Sequence, residues 1–397
     1  MGEVLVNNVT TALSSEELGH FMDLARQFTK KQVEPMFEGE FPDGNPDLVG
    51  KIIDTAFITG LASSPDKTSA GCEYGIWGCA SDTAGLNYSI SILSIVGSVC
   101  GGVAMMLHAQ GVASHIALMG NPAAALGGER LGLCVQEGVS LPHYGTIKSP
   151  DLDLPARVTT EARKVPEGYA INGEKSFVWS IPRPDAYVVF ARIDGHWGCF
   201  VVPAGSDGLI EADVGWRSGL RLCGLRNLKF NNVTVPAGNR IDDGNATALL
   251  ARAMSLNWVG MSAIAVGIAR GALAAAEEYS SQRYQGGTII ENHPAVKLLL
   301  GDSESKVAVA EAAVQGISVP CESFDRDFTR AAKTKLAIME LCAKSVTDCM
   351  QSMGGYGYME DFKIEKRLRD VATLKSAGGS PTYLKQLIFD IDREERQ

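Results

Sequence analysis

Apolar residues recur at helical spacing through the first third of the chain, alternate with polar ones in the middle, and return to helical spacing towards the end. From Ser14 to Glu34, Leu18, Phe21, Met22, Ala25 and Phe28 share one face, Ser14 and Glu17 fit a capping box, and Pro35 closes the helix. Helical pattern follows at Pro46–Thr59 and Ala84–Ala117. The second of these is apolar all round, as expected of a helix buried between others. Its least polar part, Ile90 to Met106, is broken by Ser, Gly and Cys and reads as a core helix rather than a membrane span. From Leu131 the period shortens. Leu133–Val135, Ala156–Val158, Tyr169–Ile171, Ser176–Trp179, Ala186–Arg192, Gly198–Val202 and Asn227–Phe230 read as short strands, with turns such as Asn172-Gly173 and Asp194-Gly195 between them. Short strands at this spacing predict a small β-barrel ending near Pro236. Beyond Asp242 the pattern predicts helices over Ala246–Arg283, Ala295–Gln315 and Thr329–Met353, with a last one from Pro381. The expected organisation is mainly α with a central β domain: a helical domain over 1–130, a β-barrel over 131–240 and a helical bundle over 241–397. A chain of 397 residues is long enough for several packed units.

Composition narrows the class of partner. The 36 basic and 46 acidic residues give a net charge of −10, which argues against nucleic acid while leaving room for a local basic patch that meets a phosphate-bearing ligand. Cys72, Cys79, Cys100, Cys134, Cys199, Cys223, Cys321, Cys342 and Cys349 show no Cys-x-x-Cys spacing and none stands at zinc-finger distance from a His. They read as reduced thiols used as small hydrophobes, so no metal site is expected. Met1 to Thr11 has neither a basic nor an apolar leader pattern, and the expectation is a soluble, cytoplasmic protein with no membrane association.

Candidate chemistry lies in four blocks. They are Leu133-Cys-Val135-Gln136-Glu137; Asn172-Gly-Glu-Lys175-Ser-Phe177-Val-Trp179-Ser180; Gln282-Arg283-Tyr-Gln285-Gly-Gly287; and the C-terminal run Gln351-Ser-Met-Gly354-Gly355-Tyr-Gly-Tyr358, Glu365-Lys-Arg-Leu-Arg369-Asp370, Ala377-Gly378-Gly379-Ser380. A glycine pair lets backbone approach a nucleotide closely, and the planar donor fork of Arg283 suits a diphosphate. In this order the blocks resemble the acyl-CoA dehydrogenase family over nearly the whole chain. The resemblance implies that family's fold, with an N-terminal helical domain, a middle β-barrel and a C-terminal four-helix bundle. It implies FAD as cofactor and a CoA thioester as substrate. Val135 and Gln136 would lie against the flavin ring, and Phe177, Trp179 and Ser180 would cover its other side. Arg283 and Gln285 would meet the FAD pyrophosphate of a neighbouring subunit. Gln351, Gly354 and Gly355 would hold the adenosine end, with Ser380 in the final turn. Met105, Met106 and His108 would line the acyl pocket. A homotetramer or homodimer is implied, with an electron-transfer flavoprotein as the usual electron acceptor.

The same resemblance locates a break. The family removes an α-proton with a carboxylate while the β-hydride passes to flavin. The carboxylate comes from one of two positions, occupied here by Gly378 and Asn257, neither of which takes a proton. Gln136, Phe177, Trp179, Trp258 and Gly286 also depart from the family's usual residues, and the loop from Gly138 to Pro155 gains Pro142, His143 and Tyr144. His108, Asp82, His143 and Tyr144 are the replacement bases to examine. The expected activity is a flavoenzyme acting on a CoA thioester with an atypical or displaced base. The alternatives are a non-catalytic subunit paired with a paralogue that keeps the glutamate, or a base-less flavoenzyme of desulfinase or monooxygenase type. The desulfinases of this fold carry Ala-Gly-Gly at the same turn, and the dehydrogenase pattern kept over Glu365 to Asp370 counts against a monooxygenase.

Overall fold

A computed structural model describes residues 15–38, 41, 43–65, 74–78, 83–120, 130–137, 159–317 and 326–394. Helix α1 spans Ser15–Phe28, so the Ser14 cap lies outside the described residues. Pro35 does not close it: the chain continues through a π turn at Thr29–Val33 into a 3-10 turn at Glu34–Phe37. Proline is compatible with a first helical turn because its missing N–H would have no partner there. Asn45 accepts the Asp47 N–H at 3.0 Å and starts the 3-10 turn Pro46–Leu48, which leads into α2, Val49–Ile58. The long apolar pattern expected as one helix is two, α3 at Thr83–Val99 and α4 at Gly101–Met119, separated by an extended Cys100. Every residue of α4 from Gly101 to Ala117 is buried, which explains its lack of a polar face.

Strands β1 to β7 are Leu131–Cys134, Glu161–Val165, Gly168–Ser180, Ala186–Ile193, His196–Pro203, Leu209–Asp213 and Gly224–Val235. They form one seven-stranded sheet in the order β1-β4-β2-β3-β7-β6, with β5 on β4. Parallel pairs β1–β4 and β2–β4 join antiparallel β2–β3 and β1–β3 in a closed circuit, so the expected barrel is a sheet curled on itself. Asp194 and Gly195 take φ of 50° and 81°, the pair of positive angles that a two-residue β4–β5 hairpin needs. Asn172-Gly173, expected as a turn, lies inside β3 instead. The register against β7 slips there, and the Asn172 side chain accepts the Asn232 N–H at 2.8 Å. Strand β4 is buried on both faces. Tyr187, Val189 and Ala191 enter the small core of the sheet, while Val188 and Phe190 join the large helical core.

Helix α5, Ala246–Gln282, runs through the centre and touches α3, α4 and the helices that follow. Close approach to α3 is possible because Gly267 and Gly271 face it: an added Cβ would stand 2.2 Å from Ser94 O and 2.0 Å from Ser98 O. A short β8–β9 ribbon (Tyr284–Gln285, Thr288–Ile289) leads to α6, Pro294–Gln315, and α7, Arg326–Ser352. Helix α9 is Pro381–Glu394. A further helix, α8 at Ile364–Ser376, was not marked by the apolar pattern. Ion pairs dock it. Asp370 accepts the Leu220 N–H at 2.6 Å and the Lys366 ammonium at 2.5 Å, while Arg369 reaches Asp43 at 2.9 Å and Ser218 O at 2.8 Å. The signature Arg-Asp pair thus ties the C-terminal helices to the loop before β7.

Candidate active site

Helix α4, the end of β1, the C-terminal end of β3, helix α5 and the α8–α9 turn converge on one cleft. Met105, Val135, Gln136, Phe177, Trp179, Asn257, Trp258 and Gly378 all line it. Phe177 reaches it through a bulge: its φ is +53°, and pairing with β7 slips between Lys175 and Val178. A left-handed aromatic residue is costly, and such conformations persist where surrounding contacts enforce them. Here Asn227 Oδ1 accepts the Phe177 N–H at 3.1 Å and Gln136 O accepts the Ser176 N–H at 2.9 Å. Beneath the bulge the Lys175 ammonium sits 2.6 Å from Glu137, and Glu137 also accepts the Thr159 N–H at 2.6 Å and the Thr159 hydroxyl at 2.8 Å. Burial pushes the Lys175 ammonium down and would push the Glu137 carboxyl up. The charge of Lys175 and the threonine donors prevail, leaving Glu137 below the usual carboxylate range. This pair locks Val135–Glu137 against β3. Sequence reasoning missed it, although a lysine in a strand otherwise facing a core is the signal.

The two positions expected to carry the base, Gly378 and Asn257, are neighbours. A Cβ on Gly378 would stand 3.8 Å from Asn257 Nδ2 and 3.0 Å from Met261 Sδ. Gly378 itself has φ +63° and Gly379 has φ +118°. Three side-chain donor contacts hold their turn. Trp258 Nε1 donates to Gly378 O at 2.6 Å, and the buried Lys335 ammonium donates to Ala377 O at 2.5 Å and Gly379 O at 2.8 Å. Desolvation pushes Lys335 down to about 7. His108 does not line the cleft. It is fully buried behind Asn257, with Nε2 2.9 Å from Asn257 Oδ1 and Nδ1 accepting the Trp77 indole N–H at 3.0 Å. Burial, opposed in part by its bonds to Asn257, pushes its pKa down to about 4. Among the described residues lining the cleft there is no carboxylate, histidine or lysine.

Other expected site residues scatter. Met106 is buried beside the cleft without lining it. Ser180 is fully buried in the sheet, its hydroxyl 3.5 Å from an Arg226 nitrogen, and does not line the cleft of this chain. Ser380 caps α9, accepting the Tyr383 N–H at 3.3 Å. Asp82, His143 and Tyr144 lie outside the described residues. Arg283 lines a separate groove at the far end of α5, with Tyr279, Tyr356, Phe362, Lys363 and Arg367. Its guanidinium lies 5.1 Å from the Tyr356 ring centre, and one nitrogen approaches the Gln285 side chain at 3.5 Å. Gln285, Gln351, Gly354 and Gly355 are exposed. The Nε atoms of Arg283 and Arg367 are buried and have no partner among the described residues, which fits a groove made for an anionic, diphosphate-like group.

Residues 247–390 match the family described as acyl-CoA dehydrogenase, C-terminal domain. Over 293 residues the chain is 32% identical to cyclohex-1-ene-1-carbonyl-CoA dehydrogenase of Syntrophus aciditrophicus (strain SB), a span of 70% of this chain and 69% of that relative. The chain belongs to the acyl-CoA dehydrogenase family. It is also 26% identical over 381 residues to a 3-(aryl)acrylate reductase of Clostridium sporogenes (strain ATCC 15579), covering 92% of this chain and 95% of that one. Butyryl-CoA dehydrogenase of Megasphaera elsdenii superposes with a TM-score of 0.75 at 22% identity, covering 97% of this chain and 99% of that structure, a likeness of fold.

Members of the acyl-CoA dehydrogenase family are FAD-dependent oxidoreductases that act on the CH–CH bond of CoA thioesters. In this member the cleft combines aromatic walls with two amides, Gln136 and Asn257, and the second lies beside Gly378.

Proposed function

We propose that this chain binds FAD and a CoA thioester in the α4–β3–α5 cleft and oxidises or reduces the acyl group with a proton carrier displaced from both family positions. One observation carries the reading: segments that the family places against flavin and substrate converge on a single cleft, yet Gly378 and Asn257, 3.8 Å apart by the measure above, offer no base. FAD, when bound, supplies the hydride chemistry. The chain's own residues bind, orient and exclude water: Phe177 and Trp179 wall the cleft from β3, Met105 from α4, and Trp258 pins the Gly378 turn. The Arg283 groove suits the diphosphate. Helix α5 separates Arg283 from Asn257 by roughly 39 Å at about 1.5 Å per residue. One dinucleotide cannot span that, so the groove serves the flavin of a neighbouring subunit, in a homodimer or homotetramer. An electron-transfer flavoprotein is the acceptor we propose. Both relatives carry names with unsaturated or ring-bearing acyl groups, which favours a bulky acyl chain here.

Trp258, standing where the family keeps an arginine for CoA, favours a second reading: a non-catalytic subunit beside a paralogue that keeps the glutamate. One experiment separates the two. The purified protein is titrated without oxygen with straight-chain and ring-bearing acyl-CoAs while flavin absorbance is followed. Bleaching supports the enzyme. A protein that takes up FAD only beside a glutamate-bearing paralogue would sink the solo reading.

A further inference from the structure

Asn257 is oriented by a chain of hydrogen bonds that starts 180 positions earlier in the sequence. An indole N–H only donates, so His108 Nδ1, 3.0 Å from Trp77 Nε1, is the acceptor. The single ring proton of the neutral imidazole is then on Nε2, which donates to Asn257 at 2.9 Å. The Asn257 atom it meets must be the carbonyl oxygen, and the NH2 group is left on the other side, towards Gly378. The ring cannot turn away. It is enclosed, and Gly260 lies so close that an added Cβ would meet His108 at 2.3 Å. Burial also keeps the imidazole neutral.

The cleft therefore presents a fixed hydrogen-bond donor where the family presents a carboxylate, amid apolar neighbours such as Met105, Val135 and Trp258. We propose that the Trp77–His108–Asn257 chain makes Asn257 a specificity-determining donor, selecting acyl-CoAs that carry an oxygen acceptor on or beside the reacting carbons of the acyl chain. The inference rests on the reading of the cleft as a CoA-thioester site. Its physical basis is asymmetric: an acyl chain with a hydroxyl or carbonyl pairs the NH2, while a plain hydrocarbon chain displaces its water and leaves it unpaired. His108 is a positioning residue, acting only through Asn257.

The test uses the full-length FAD-loaded protein and a matched pair, 3-hydroxybutyryl-CoA and butyryl-CoA, with anaerobic calorimetric titration. Wild type should bind the hydroxylated thioester about 10-fold more tightly, the worth of one neutral hydrogen bond. Asn257→Leu should bring the ratio to about one or below. His108→Leu should shrink it, and His108→Gln, whose amide reaches the place of Nε2, should restore it. That rescue separates positioning from a merely structural role. A wild-type ratio near one, or a preference that survives Asn257→Leu, overturns the proposal while leaving the function intact. Binding of neither thioester by a protein that holds FAD overturns both. If His108→Leu does not fold, Asn257→Leu still decides, because Asn257 lies on the cleft wall.

Discussion

Restoring a carboxylate tests whether the cleft keeps the family's reacting geometry, and the structure predicts that the two possible positions are not equivalent. At Gly378 the φ of +63° alone costs a non-glycine residue about 1–2 kcal/mol. The new Cβ would also stand 3.0 Å from Met261 Sδ and 3.2 Å from its Cε, so the thioether must move. Gly378→Glu should therefore lose about 2–3 kcal/mol of stability in denaturant titrations, partly recovered by Met261→Ala. Asn257 sits inside α5, where Glu is a better helix former than Asn and the His108 Nε2–H remains to donate to the new carboxylate. Asn257→Glu should hold stability to within about 1 kcal/mol. Its gain in function should be that of a placed general base, about 10² to 10⁴ in rate. The assay is anaerobic single-turnover bleaching of the flavin by a saturated acyl-CoA, with binding of both ligands confirmed first. Gain in neither variant, with both ligands bound, would show that the cleft no longer aligns α-carbon and base. Wild type bleaching as fast as Asn257→Glu would refute the expected gain and show that the proposed displaced proton carrier already serves this α-proton.

Three further outcomes follow. His108 and His115 are buried and pushed down to about 4 and about 3 from an ordinary 6.5, so the unfolded chain binds more protons than the folded one below pH 6.5. Stability is complete above that pH and falls as the pH drops towards 4, by on the order of 3 kcal/mol from His108 alone; the slope between pH 6.5 and 4 should flatten in His108→Gln, and an unchanged slope would refute this origin. Arg283→Gln should weaken retention of FAD through dialysis about 10-fold or more while leaving the circular-dichroism spectrum unaltered, because it removes a charged donor from an exposed groove; undiminished retention would remove the groove from the flavin site. Gly271→Ala places a methyl 2.0 Å from Ser98 O and should force α3 off α5, a net loss of about 1–3 kcal/mol despite the helix propensity gained; a neutral or stabilising result in denaturant would show that the two helices are not held in close contact.

The periodicities that announced helices and strands are local properties, and they located most elements because both period and turn chemistry are written within a few residues. Asp194-Gly195 makes its hairpin for that reason. Asn172-Gly173 carries the same local signal but sits in the interior of β3, because pairing with β7 and the grip of Asn172 on Asn232 override it. The bulge that aims Phe177 is equally tertiary, set by Asn227 and Gln136 from two other segments. Helical spacing put His108 on the same helix as Met105 but could not say which of them faced the cleft. That depended on Trp77, Asn257 and the missing side chain at Gly260. The same limit applied to the two absent bases. In sequence Gly378 and Asn257 lie 121 positions apart and read as two independent losses. In space they bracket one point, so a carboxylate at either would serve the same proton, and neither could be kept without burdening that point with charge. A donor held there by a buried neutral histidine and a carboxylate held there are chemically exclusive alternatives. On the proposed reading, the lack of a carboxylate at either position is therefore one feature of the chemistry at one location.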